Sequence, residues 1–231
     1  MNKRAILTVA LALVFGLPAA GLAQDTRPGI AVIPFVNGGS IGAEPDDFAA
    51  FELGLQELLI TELAMNSSLR VVERGRIKDL MAEQDLGASG RVDASTAAQI
   101  GKLVGAKYTI MGGFIEVNNS LTLTARVVDG ETAEIVKADR VRGGRDDIYA
   151  MSVDLADQLT RGLNLPALER QALNERRERE IPGDAVRLYT KALLYQERGQ
   201  TDRAVELFRQ VVTEFPQYTE ARDALQQIGR G

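Results

Sequence analysis

The residues from Asn37 to Gly42 (Asn-Gly-Gly-Ser-Ile-Gly) follow an apolar run and precede a helical pattern. Glycine-rich turns in that setting cradle phosphates with backbone N–H groups at a helix N-terminus. Phosphate binding also calls for a cation, and there is no Lys or Arg from Pro28 to Leu69. Asp46 and Asp47 open the following helix, so a phosphate would meet carboxylates, and the residues speak against nucleotide binding. The chain has no His and no Cys. That removes histidine metal ligands, a Ser-His-Asp set, thiolate zinc sites and disulfides. Glu44, Asp46 and Asp47 do not follow the alternating spacing of a carboxylate calcium loop. Paired carboxylates for glycoside hydrolysis need only spatial proximity, and no motif points to them. No catalytic residue, metal site or cofactor is expected, and the sequence points to binding or assembly rather than to an enzyme.

The compartment narrows the choice of partner. Lys3 and Arg4 precede an uncharged apolar stretch, Ala5 to Leu17, and Gly21-Leu22-Ala23 places small residues where a signal peptidase cuts. Residues 1–23 therefore read as a signal peptide, with a mature chain from Gln24 exported to the periplasm. The apolar stretch is shorter than the about 20 residues that span a bilayer, so membrane insertion is not expected. Without a cysteine there is no lipobox. The formal charge of −5 becomes −7 once Lys3 and Arg4 are removed. This opposes binding of nucleic acid and electrostatic attachment to an anionic membrane surface.

The elements follow from pattern. Ile30 to Val36 is a continuous apolar run, a strand buried on both faces, with Pro34 marking its far end. Phe48, Phe51, Leu55, Leu58, Leu59 and Leu63 form one face of a long helix that Asn66 to Ser68 ends. Leu69 to Val72 is a second strand, Arg76 to Gln84 a helix, and Leu86 to Arg91 a glycine-containing loop. Asp93 or Ser95 caps a helix up to Val104. Tyr108 to Val117 is a strand in which Gly112-Gly113 implies a bulge or a close backbone approach. Asn118-Asn119 turns the chain into a strand with Leu121, Leu123, Ala125 and Val127 on one face and Thr122, Thr124 and Arg126 on the other. Asp129-Gly130 makes the next turn, and Ala133 to Arg142 completes a meander. A helix from Asp146 or Asp147 through Leu163 closes the unit. The fold class is α/β, a mixed α+β sheet with flanking helices over residues 24–163, followed by a small all-α helical-repeat segment.

Eight charged residues between Glu169 and Glu180 describe a solvated connecting helix, a linker over residues 164–183. In residues 184–231, Tyr195, Gly199, Ala204, Phe208 and Pro216 fall at spacings of 4, 5, 4 and 8. That resembles a tetratricopeptide repeat, although Lys191 and Ala192 depart from the usual Leu-Gly and Val211 replaces the common alanine. One repeat and a cap fall short of the roughly three units such arrays need, so the segment must dock on the first domain, on another copy or on a partner. Its first helix offers Tyr189, Leu193 and Gln196 on its inward face. These either bind a peptide segment or pack the repeat onto the connecting helix.

The strand, Glu73-Arg74 and the helix after it, with Gly101-Lys102-Leu103-Val104-Gly105-Ala106 further on, resemble the CsgG family of curli-assembly proteins and the related FlgO-like and TolB N-terminal-like envelope modules. The resemblance runs from about Gly29 to Leu163. It implies a scaffold or adaptor of envelope assembly or secretion whose partners are envelope proteins or peptide segments. It also leaves open a homo-oligomer, because the curli channel is a ring through this domain. The second reading it offers is an outer-membrane secretion channel. That channel builds its barrel from hairpins inserted in the domain, and here the turns at Asn118-Asn119 and Asp129-Gly130 are too short to hold them. Glu73 and Arg74 are the most specific matching pair, and a structural role at the strand-to-helix junction is preferred over a partner contact.

Overall fold

The computed structural model describes residues 25–40, 45–84 and 92–229. Its elements are β1 Gly29–Val32, β2 Val36–Asn37, α1 Pro45–Ala64, β3 Arg70–Val71, α2 Arg74–Glu83, α3 Ala94–Val104, β4 Tyr108–Val117, β5 Ser120–Asp129 and β6 Ile135–Gly144. A 3-10 turn at Arg145–Asp147 leads to α4 Ile148–Gly162, α5 Arg170–Arg177, α6 Gly183–Glu197, α7 Thr201–Glu214 and α8 Thr219–Ile228. The signal peptide over residues 1–23, the Leu86 to Arg91 loop and Ile41 to Glu44 of the glycine-rich turn lie outside the described residues.

The mixed sheet has the order β3-β1-β4-β5-β6, and β2 runs beside β4 where β1 ends. β1 pairs parallel with β3 and β4, while β4, β5 and β6 form the antiparallel meander. Pro34 divides the first apolar run. Ile33 still donates its N–H to the Ile110 carbonyl at 3.0 Å, but proline has no such donor, and pairing resumes at Val36. The β4–β5 register is unbroken through Gly112 and Gly113. Close approach, not a bulge, explains both: a Cβ on Gly112 would lie 2.5 Å from the Phe35 ring, and one on Gly113 would lie 2.7 Å from the Val36 carbonyl. Asn118 and Asn119 hold positive φ in a two-residue hairpin turn. The next turn is wider than its Asp-Gly pair implies. The Asp129 carboxylate accepts the N–H of Glu131 at 2.8 Å and of Thr132 at 3.1 Å, and Ala133 adopts φ 60°, so β6 begins at Ile135.

The Gly-Lys-Leu-Val-Gly-Ala stretch is a packing device. Asp93 caps α3 by accepting the Thr96 N–H at 2.7 Å. Gly101 lets α3 lie against β4, since a Cβ there would meet Thr109 Oγ1 at 2.5 Å, and Gly105 ends the helix at φ 69°.

Helices α1 and α4 cover one face of the sheet, and Leu121, Leu123, Ala125 and Val127 are buried beneath them. Phe51 meets Phe114 edge to face at 4.7 Å. Helix α1 is enclosed on more than the expected face, with Gln56 and Glu62 buried as well. Gln56 Nε2 donates to the Val32 carbonyl at 2.7 Å, satisfying the end of β1.

The connecting helix differs from a free spacer. Its outer side is solvated, but Leu173 is buried and Arg177 pairs with Asp154 at 2.8 Å and Asp157 at 3.2 Å. Arg176 pairs with Glu62 of α1. The repeat docks in cis. Ala185, Val186, Tyr189 and Ala192 of α6 join the same apolar cluster as Leu55 and Leu59 of α1. The two helices approach closely because Gly54 has no side chain: a Cβ there would overlap Thr190 Cγ2 and lie 2.6 Å from Thr190 Cβ. Replacing a mid-helix glycine by alanine ordinarily stabilises by roughly 0.5–1 kcal/mol. Here the overlap reverses the sign, and Gly54→Ala is expected to destabilise by about 1–3 kcal/mol in urea denaturation. Gly54→Ala combined with Thr190→Ser, which removes the clashing methyl but keeps the Cβ 2.6 Å away, should recover only part of the loss.

Candidate functional site

A groove of about 250 Å³ runs between α6 and α8, closed on its third side by α1 and the start of α2. Helix α1, packed against α6, supplies that side. Tyr189, Leu193 and Gln196 all line it, so the inward face read from the sequence is one surface in the fold. Tyr189 is 5% and Leu193 4% exposed, and they form its floor. The Tyr189 ring packs 4.9 Å from Tyr218 and 5.6 Å from Phe208. Burial, reinforced by the Glu57 and Glu220 carboxylates, pushes the Tyr189 hydroxyl well above the ordinary phenol range. The floor is thus both the core of the repeat and the bottom of the groove. Gln196 is half-buried, and Asp223 and Gln227 of α8 stand exposed on the rim.

Two ion networks hold the walls. Arg74 donates to Glu57 of α1 at 3.0 Å and to Glu197 of α6 at 2.8 Å, and Lys78 reaches Glu197 at 2.5 Å. Arg179 grips Glu220 of α8 with two bonds of 2.8 Å, and its guanidinium lies 5.2 Å from the Tyr149 ring centre. Burial raises the carboxyl pKa of Glu197 and of Glu220. Hydrogen bonds from Lys78 and Arg74 to the first, and from Arg179 to the second, outweigh it and hold both below the usual glutamate value.

Glu73 and Arg74 do not act as a pair. Glu73 is exposed at the N-cap of α2 and its side chain makes no capping bond, whereas Arg74 ties α2 to α1 and to the repeat. Glu57, Glu220, Asp223 and Gln227 are groove residues that sequence reasoning missed, because their proximity arises only when α8 folds back beside α1. Gly54 carried the one local signal, an isolated glycine inside an apolar helical pattern. Chemically, the groove offers carboxamides that can bond an extended backbone, an apolar floor and, in Asp223, a carboxylate with no ion pair among the described residues.

Residues 23–120 match the family described as curli production assembly/transport component CsgG, and residues 188–218 match a tetratricopeptide repeat. Both resemblances read from the sequence are thus shown over those stretches. A relative from Rhizobium meliloti (strain 1021), named as an adenylate cyclase, is 26% identical over 157 residues, 68% of this chain and 24% of its own. The chain therefore spans about a quarter of that relative. Among solved structures, the LpoB C-terminal domain from Escherichia coli is 25% identical, with 51% of this chain and 83% of that one covered at a TM-score of 0.40. TolB from Acinetobacter baumannii is 15% identical, with 60% and 29% covered at 0.41. The PelC dodecamer from Paraburkholderia phytofirmans is 12% identical, with 62% and 90% covered at 0.36.

Arg74→Met strands Glu57 and weakens the hold on Glu197, and is expected to cost about 1–3 kcal/mol, between an exposed and a buried ion pair. A glutamate with a depressed folded-state pKa adds stability that is complete above its unfolded value of about 4.3 and lost as pH falls through the folded value. Thermal stability should therefore drop as pH falls below about 4.3, and the drop between pH 5 and pH 3 should be smaller in Glu197→Gln/Glu220→Gln. Calorimetric melts of both proteins across that range check it.

Proposed function

We propose that the protein is an exported, non-enzymatic adaptor of the cell envelope that holds a peptide segment of a partner in the α6–α8 groove. The observation that carries this reading is the groove itself. A tetratricopeptide-type helix pair normally needs neighbouring repeats to form a concave surface, and here α1 supplies the neighbour. The CsgG match over residues 23–120 supports an envelope assembly or secretion setting, and the signal-peptide pattern at Lys3 to Ala23 supports export to the periplasm. Gln196 and Gln227 would bond the bound backbone, and Asp223 would favour a lysine or arginine in it.

The adaptor is preferred to the secretion channel on strand use. Each of β4, β5 and β6 belongs to the central sheet and packs under α1 or α4, and the two turns joining them are short. No described helix is long and apolar enough to cross a membrane.

The rim residues give a clean test, since they are not part of the packed floor. In quantitative pull-downs from crosslinked envelopes, Gln196→Ala/Asp223→Lys should weaken recovery of the specific partner about tenfold, roughly 1.4 kcal/mol, with an unchanged melting temperature. Undiminished recovery would refute the groove. Light scattering of the chain from Gln24 in detergent-free buffer should give a monomer or dimer, whereas a large ring or a detergent requirement would favour the channel.

A further inference from the structure

The second face of the sheet is only half covered. Helices α2 and α3 lie over the β1 end and bury Ala31, Ile33, Val72 and Val128 there. Further along, the same face carries three cross-strand rows: Met111–Arg126–Ala138, Gly113–Thr124–Arg140 and Ile115–Thr122–Arg142. Arg126, Arg140 and Arg142 are all exposed, as are Ile115 at 47% and Val117 at 41%. Residues two apart on a strand lie about 7 Å from each other, so the guanidinium groups of Arg140 and Arg142 share one patch. Because Gly113 has no side chain, the face is hollowed there into a depression of about 470 Å³ between Val36 and Thr124, with Arg126 and Arg140 on its wall.

Charge distinguishes this surface. Arg74, Arg145, Arg176, Arg177, Arg179 and Arg198 each pair with a carboxylate. Among the described residues Arg126, Arg140 and Arg142 pair with none. Scattered arginines such as Arg76, Arg209 and Arg222 are also without an ion pair there. What sets this trio apart is its grouping on one sheet face beside a depression whose described lining contains no Asp or Glu. Among the described residues, the one side-chain bond from this trio is Arg142 Nε to Thr122 Oγ1 at 3.3 Å. A chain with a formal charge of −5 thus concentrates unneutralised arginine on one apolar-floored face. We infer that this face docks an acidic segment of another protein, its carboxylates on Arg126, Arg140 and Arg142 and its apolar side chains over Val36 and Ile115. Arginine suits the role, since its planar fork bonds carboxylates bidentately. A peptide fits better than a bilayer or a nucleic acid. Those extended polyanions meet the net negative charge of the whole molecule, whereas a short segment meets only the patch within a screening length of about 8 Å. This surface is separate from the α6–α8 groove and does not depend on the reading given to that groove.

The test uses the chain from Gln24 and a labelled ten-residue peptide of alternating Glu and Val, followed by fluorescence anisotropy at low salt. Binding should weaken at least tenfold in Arg126→Gln/Arg140→Gln and fall steeply with added salt. It should persist in the charge-matched Arg209→Gln/Arg222→Gln, which removes two exposed arginines of the helical segment. The melting temperatures of all three proteins should agree. Absence of wild-type binding, equal losses in both double variants, or binding to phosphatidylglycerol vesicles with none to the peptide would overturn the inference.

Discussion

The close contact between α1 and α6 is the constraint on which the rest of the molecule depends. Helix α1 packs on the sheet with its leucines, satisfies the end of β1 through Gln56, and receives the repeat at Gly54, where any side chain would collide with Thr190. A lone helical hairpin with a cap cannot bury enough surface to stand by itself. Set against α1, it shares the apolar cluster of the sheet domain, and its inner face becomes one wall of a groove rather than part of a repeat array.

Ion pairs refine this arrangement without creating it. Asp46 and Asp47 at the start of α1 reach Arg198 just past α6 and Lys191 within it, Arg74 bridges α1 and α6, and Arg176 of α5 and Arg179 just beyond it reach α1 and α8. The exposed pairs add little individually. Half-buried ones such as Arg74 with Glu57 and Glu197 matter through what remains if one partner is lost, a carboxylate shut in with no cation. Many of the charges between the helices are therefore neutralised in pairs. The open sheet face gathers three arginines that pair with no carboxylate among the described residues, so it differs in chemistry from the α6–α8 groove.

Residue patterning determined most of the local structure. The alternation at Leu121 to Val127 put four side chains in the core, Asn118-Asn119 made the turn, Asp93 capped α3, and Gly199 with Ala204 and Phe208 marked the helical repeat. Such features rest on backbone sterics and on periods of 2 and 3.6 residues, which neighbours in sequence can specify. The same patterning placed Tyr189, Leu193 and Gln196 on one face and left open whether that face packs or binds. It also misjudged the width of the turn after Asp129, where one carboxylate's bonds changed the outcome, and the freedom of the linker, which Leu173, Arg176 and Arg177 hold to the domain.

Tertiary structure alone decided where the repeat sits, which carboxylates Arg74 and Arg176 meet, and that Glu57, Glu220 and Asp223 border the same groove. Arg74 and Glu197 are 123 residues apart, and no local propensity encodes such a pairing. It follows from how α1 is enclosed, and that in turn depends on long-range packing among the sheet, α4 and α6. Composition limited the chemistry through the absence of His and Cys, but which faces remain uncovered is fixed only once the helices have chosen theirs.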